Sequence, residues 1–199
     1  MRHTTAIAAA LMLCSGLAVH SAVGQQQSDA AMQDMMKKWQ EMMTPGAQHK
    51  MLAGMEGTWD AETKMWMGPG DPEVTKGTAS MKMVLGGRFL QQEISSTMMG
   101  RPFHGIGFTG YDNNDKKFVG FWIDDFGTSI STMEGSLNQK GDVLTMYGKM
   151  DEPTTGEHDK TVKYVTRTID KDRVVLEIHD LSIGEPNTKV METVYVRRK

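Results

Sequence analysis

Ala79-Ser80-Met81-Lys82-Met83-Val84-Leu85-Gly86-Gly87-Arg88-Phe89-Leu90-Gln91-Gln92-Glu93-Ile94 carries two runs with a period of two, separated by a glycine pair. Side chains alternate between the faces of a strand, and paired glycines allow the positive φ angles of a tight hairpin turn, so this stretch predicts two antiparallel strands. Pairing outward from Gly86-Gly87 places Leu85 opposite Arg88, Met83 opposite Leu90, Met81 opposite Gln92 and Ala79 opposite Ile94. A second turn centred on Gly70 would set Trp59 opposite Met81 and Ala61 opposite Ala79. Trp59, Ala61, Met65, Met67, Ala79, Met81, Met83, Leu90, Ile94 and Met98 then share one face, and Asp60, Glu62, Lys64, Lys76, Ser80, Lys82, Gln91 and Glu93 share the other. One side reads as core and the other as water-facing.

The same pattern continues to the end of the chain. Strands are predicted over 58–67, 73–85, 88–99, 103–111, 117–125, 128–137, 143–150, 160–169, 174–181 and 188–198. Between them lie Gly68-Pro69-Gly70-Asp71-Pro72, Gly86-Gly87, Gly100-Arg101-Pro102, Asp112-Asn113-Asn114-Asp115, Gln139-Lys140-Gly141-Asp142, Asp170-Lys171-Asp172 and Gly184-Glu185-Pro186-Asn187, all turn-forming chemistry. Ten strands joined by short turns form an up-and-down meander, which leaves two unpaired edges unless it closes. The expected fold is therefore all-β, an antiparallel up-and-down barrel of about ten strands, wide enough to hold a ligand as well as side chains.

Upstream of the strands the period is that of a helix. Met32, Met35, Met36, Trp39, Met42 and Met43 recur at spacings of three and four, and Thr44-Pro45-Gly46 stops the run. A second short helical turn over 48–55 puts Met51, Leu52 and Met55 on one face. Further upstream, Arg2 and His3 precede an apolar run from Ala6 to Val19, and Ala22-Val23-Gly24 follows as a small-x-small cleavage site. Residues 1–24 thus read as a secretory signal peptide, 25–56 as an N-terminal helical segment and 57–199 as the barrel, with the mature protein exported, periplasmic or secreted. No later stretch has the apolar length of a transmembrane helix.

Composition narrows the functions. Lys+Arg 22 against Asp+Glu 25, with 39% hydrophobic residues, does not suit a basic nucleic-acid binder or a disordered chain. Cys14 is the single cysteine and falls in the leader, so the mature chain would have no disulfide, thiolate metal site or cysteine nucleophile. No nucleophile elbow, phosphate-cradling loop or zinc-binding helix motif is present, so these motifs identify no catalytic set and leave the cofactor unknown.

Thr44-Pro45-Gly46, His49-Lys50, Gly57-Thr58-Trp59, Leu85-Gly86-Gly87-Arg88-Phe89-Leu90-Gln91-Gln92, Gly110-Tyr111-Asp112, Trp122-Ile123-Asp124 and Gly127-Thr128 together resemble the bacterial family called domain of unknown function 1579. The resemblance covers nearly the whole mature chain. It implies a relative of the calycin barrels, the lipocalin and nitrobindin-like binders of small hydrophobic molecules or haem, and no established activity. Gly57-Thr58-Trp59 is similar to the lipocalin Gly-x-Trp opening, which implies Arg197 stacked on Trp59.

A barrel that binds a small apolar molecule is the leading expectation, and candidate ligand contacts follow from the register. Trp59, Met81 and Met83 belong to the apolar face, where Gln92 is the lone polar side chain and requires a hydrogen-bond partner. Pairing across Asp170 to Arg173 sets Tyr164 opposite His179 and Thr166 opposite Glu177. If that face lines a cavity, His179 would ligate haem iron or position a polar ligand, with Glu177 or Tyr164 supporting it; otherwise the four residues form a solvated strand face. Methionine, at 19 residues, admits a copper reading through Met65/Met67, Met81/Met83 or the helical methionines, against the plainer reading of adaptable apolar packing. The remaining alternative is an interaction or structural module whose barrel has no cavity. Trp122, Asp124 and Asp125 lie where both faces of the strand are apolar, so their direction is not assigned by the pattern.

Overall fold

Ten antiparallel strands follow one another around a closed barrel in which the first pairs with the last. The computed structural model describes residues 15–68, 70–152, 156–183 and 188–199. In chain order the elements are α1 (Ser15–Met43), α2 (Ala47–Ala53), β1 (Gly57–Met65), β2 (Glu73–Val84), β3 (Phe89–Met98), β4 (Arg101–Asp112), β5 (Lys117–Asp124), β6 (Ser131–Leu137), β7 (Val143–Glu152), β8 (Glu157–Asp170), β9 (Arg173–Asp180) and β10 (Lys189–Arg197). Closure pairs Trp59 with Arg197 and Met65 with Met191, so no strand edge is left open.

The glycine-pair hairpin has the register its sequence predicts. Ala79 faces Ile94, Met81 faces Gln92 and Met83 faces Leu90. Leu85, Gly86 and Gly87 all adopt positive φ in the turn, which glycine tolerates without strain and Leu85 does not. The preceding pair is offset from expectation. Trp59 faces Ala79 and Ala61 faces Gly77, two residues from the predicted partners. A shift of two keeps every side chain on its face, so Trp59, Ala61, Ala79, Met81 and Leu90 are still buried together. Met67 is the exception: β1 ends at Met65, and Met67 lies exposed in the connection.

The pair β8–β9 departs from prediction in a way that matters more. Asp170 faces Arg173 as the turn predicts, but a β-bulge between Thr168 and Asp170 adds a residue, and beyond it Tyr164 faces Ile178 and Thr166 faces Leu176. The slip is one residue, and one residue reverses the faces. Tyr164, Thr166, Leu176 and Ile178 point inward, whereas Glu177 and His179 point outward.

Antiparallel order fixes the two ends of the barrel. Helix α2 packs against β2, β3 and β4 at the end where β1, β3, β5, β7 and β9 begin. That end is filled by Leu52 from the helix and by Trp59, Met81, Leu90, Phe118 and Leu144 from the wall. His49 of α2 is also buried, its Nδ1 accepting the Gly46 N–H at 3.0 Å and its ring edge-on to Tyr111. Burial, reinforced by the Arg88 charge, holds His49 below the usual histidine range and so favours the neutral ring that can accept this bond.

The expected cation over the ring is present: the Arg197 guanidinium lies 4.0 Å from the Trp59 ring centroid. It donates to the carbonyls of Gly54, Glu56 and Lys171 and pairs with Asp172, while Trp59 Nε1 donates to the Met55 carbonyl at 3.0 Å. One side chain thus ties the end of α2, the β8–β9 turn and the closing strand together. Helix α1 falls in a separate compact unit from Pro45–Lys199, begins earlier than the predicted Ser28 and runs through Gly24. It carries Met32, Met35, Met36 and Trp39 exposed. Residues 1–14 of the expected leader lie outside the described residues.

Candidate ligand-binding site

The half of the barrel away from α2 is hollow. A cavity of about 300 Å³ lies between the strands, walled by Ile94, Met98, Phe103, Trp122, Phe126, Met133, Met146, Met150, Leu176, Ile178 and Met191. Four methionines from β6, β7 and β10 supply flexible apolar contact that can adapt to an occupant.

Two glycines shape one wall. Gly105 and Gly107 of β4 face inward, and a Cβ at Gly107 would come within 2.6 Å of Trp122 Cε3; one at Gly105 would strike the same indole. Strand glycines here mark a close approach, in which the Trp122 ring lies flat against bare backbone. Its Nε1 donates to Asp124 Oδ2 at 2.9 Å, and Asp124 Oδ1 accepts the Phe126 N–H at 3.0 Å. Trp122 and Asp124 therefore both face the cavity, which settles the direction that the apolar run Phe121 to Ile123 hid; Ile123 is absent from the lining, and Phe121, partly exposed and stacked on Phe108, borders it.

A short polar chain crosses the wall nearer the packed end. Gln92 Nε2 donates to the Tyr195 hydroxyl at 3.0 Å, and the Thr63 and Thr193 hydroxyls lie 2.9 Å apart. Gln92 thus has the partner its place on the apolar face requires. Tyr164 is also buried and lines the cavity. Burial raises the Tyr164 phenol and pushes that of Tyr195 up to about 12, with the bonds to Gln92 and Thr193 opposing.

The Tyr195 shift has a measurable consequence. The phenol ionises near 10 when unfolded but only at about 12 when folded, so its contribution is fully present below pH 10 and is lost as pH rises towards 12. We expect unfolding free energy measured in urea to fall by about 2–3 kcal/mol across that window, and Tyr195→Phe to flatten the fall. Equal slopes in the two proteins would contradict the assignment.

Of the seven residues expected to touch a ligand, Gln92 and Tyr164 line the cavity. Trp59, Met81 and Met83 point inward but pack in or against the core at the α2 end, because the cavity begins beyond them. Glu177 and His179 are a correction: the bulge puts them on the outer wall. There Glu177 pairs with Arg167 at 3.3 Å and Lys189 at 3.4 Å, and His179 Nδ1 is 3.0 Å from Thr188 Oγ1. His179 therefore faces away from any haem inside the barrel. Asp112-Asn113-Asn114-Asp115 forms the β4–β5 turn, with Asp112 Oδ1 accepting the Asn114 and Asp115 N–H groups. No group of three or more His, Cys, Asp or Glu side chains is placed to hold a metal ion among the described residues.

The model of the family described as Protein of unknown function (DUF1579) matches residues 44–197, which span α2 and all ten strands. The chain belongs to this family. In this DUF1579 member the match begins just after α1, so the described family unit is the barrel with its end-filling helix. No curated protein matches the chain. Among solved structures, Rv2717c from M. tuberculosis is similar at 17% identity with a TM-score of 0.53, over 78% of this chain and 100% of its own. A redesigned beta barrel matches at 11% identity and a TM-score of 0.40, over 74% of this chain and 95% of its own. The likeness to the mycobacterial protein shows a shared fold.

Proposed function

We propose that this DUF1579 protein is exported and binds one small, mainly apolar molecule inside its barrel. The observation that carries the reading is the hollow half: an apolar cavity with a few convergent polar groups is the usual form of a small-molecule site. By scaling from cavities that hold benzene, its volume suits about a dozen non-hydrogen atoms. Packed cores leave few voids larger than a water molecule, so a space of this size inside a closed barrel is a feature of the site and not a packing defect.

Export is supported by the leader read in residues 1–24 and is tested by sequencing the amino terminus of the protein recovered outside the cytoplasm; Gln25 as the first residue is expected. Binding is tested with an apolar fluorophore whose emission brightens on leaving water. One saturable site per chain, emptied by apolar competitors, is the expected result, and a response no greater than that of a solid-cored barrel contradicts it. A second reading attaches to α1 alone. Its exposed Met32, Met35, Met36 and Trp39 favour a partner-binding element.

A further inference from the structure

The electrostatics of the cavity select the head group of its occupant. Asp124 is the one charged side chain among the described residues lining the cavity, and no lysine, arginine or histidine shares that lining. Nor does any cation of the described residues pair with Asp124. Its two oxygens accept one N–H each, from Trp122 and Phe126, which orients the carboxylate without neutralising it. Each oxygen has a second lone pair, so the group retains the capacity to accept two further bonds.

The surroundings of Asp124 are aromatic. Trp122, Phe103 and Phe126 line the same region, and the two phenylalanine rings meet edge to face at 5.6 Å. The electron-rich faces of such rings attract a cation. Arg101 lies 5.5 Å from the Phe126 centroid, but it is exposed and is not part of the lining. An anionic head group would meet an unpaired carboxylate in a partly desolvated wall. A protonated amine would meet a charge-assisted hydrogen-bond acceptor and aromatic faces at once.

Resting on the reading of the barrel as a small-molecule binder, we infer that the bound molecule is an apolar amine whose ammonium group is held by Asp124 beside Trp122 and Phe126. The apolar body extends inward among Met133, Met146 and Leu176. Carboxylates of the same shape are excluded by charge.

Decylamine, decanol and decanoate share one apolar tail and differ in head group, which makes them a direct test by calorimetric titration into the full chain at neutral pH. The amine is expected to bind about tenfold more tightly than the alcohol, and the carboxylate more weakly than either. Asp124→Asn removes the charge while keeping one acceptor oxygen, and should bring the amine down to the affinity of the alcohol measured in the same variant. The wild-type ranking stands as a test by itself should the variant fold poorly. Decanoate binding as tightly as decylamine, or an unchanged amine preference in Asp124→Asn, overturns the inference while leaving the cavity reading intact. Failure of all three compounds to bind overturns both.

Discussion

Replacing Trp59 with alanine is expected to destabilise the protein by about 3–5 kcal/mol. Trp59 is fully buried, and its removal leaves a hole in the packed end that the surrounding strands, fixed by closure, cannot collapse to fill. It also strips the Met55 carbonyl of its donor and Arg197 of the ring beneath its guanidinium. The carbonyls of Gly54 and Glu56 hold Arg197 from the other side, so loss of the ring loosens the junction of α2 with the closing strand. Urea unfolding followed by far-ultraviolet circular dichroism measures the effect. A loss below about 1 kcal/mol would mean that this junction does not seal the barrel.

The second large effect is on binding. Met133 and Leu176 project into the cavity from β6 and β9, and Met133→Trp with Leu176→Trp fills much of the space with indole. We expect affinity for the apolar fluorophore to fall by about a hundredfold or more, because the occupant and the new rings cannot share the volume. The fold should remain, since both additions enter existing space and leave the packed end around Trp59 untouched. An unfolding midpoint near that of the wild type establishes this. Unchanged fluorophore affinity in a folded double variant would place the binding surface outside the barrel.

These two predictions draw on parts of the molecule that were unequally legible in the sequence. The Trp59 end could be read directly, because Gly86-Gly87 fixes a short turn and the alternation on either side leaves one register that buries Met81, Met83 and Leu90. The β1–β2 connection, rich in proline and glycine, does not locate its own centre, and the register moved by two residues. That error preserved the faces. At β8–β9 the bulge near Ile169 leaves no pattern distinct from ordinary alternation, and a one-residue slip sent Glu177 and His179 outside.

The cavity wall shows why a site is harder to read than a fold. Phe121, Trp122 and Ile123 are all apolar, so period-two reasoning cannot say which faces in. The signal that could have resolved it lies on the neighbouring strand. Gly105 and Gly107 leave their inward positions bare, and in the ladder Gly107 stands opposite Trp122. Two glycines at alternate positions of a strand mark the landing place of a large ring, and that places Trp122 and Asp124 inside.

Native mass spectrometry of the protein, exported and purified gently, tests the central claim most directly when compared with the denatured mass. The account predicts one extra organic mass per chain that is released on denaturation and missing from the Met133→Trp, Leu176→Trp variant. A bare mass in every preparation, with no uptake of decylamine, decanol or decanoate when they are added, would contradict it.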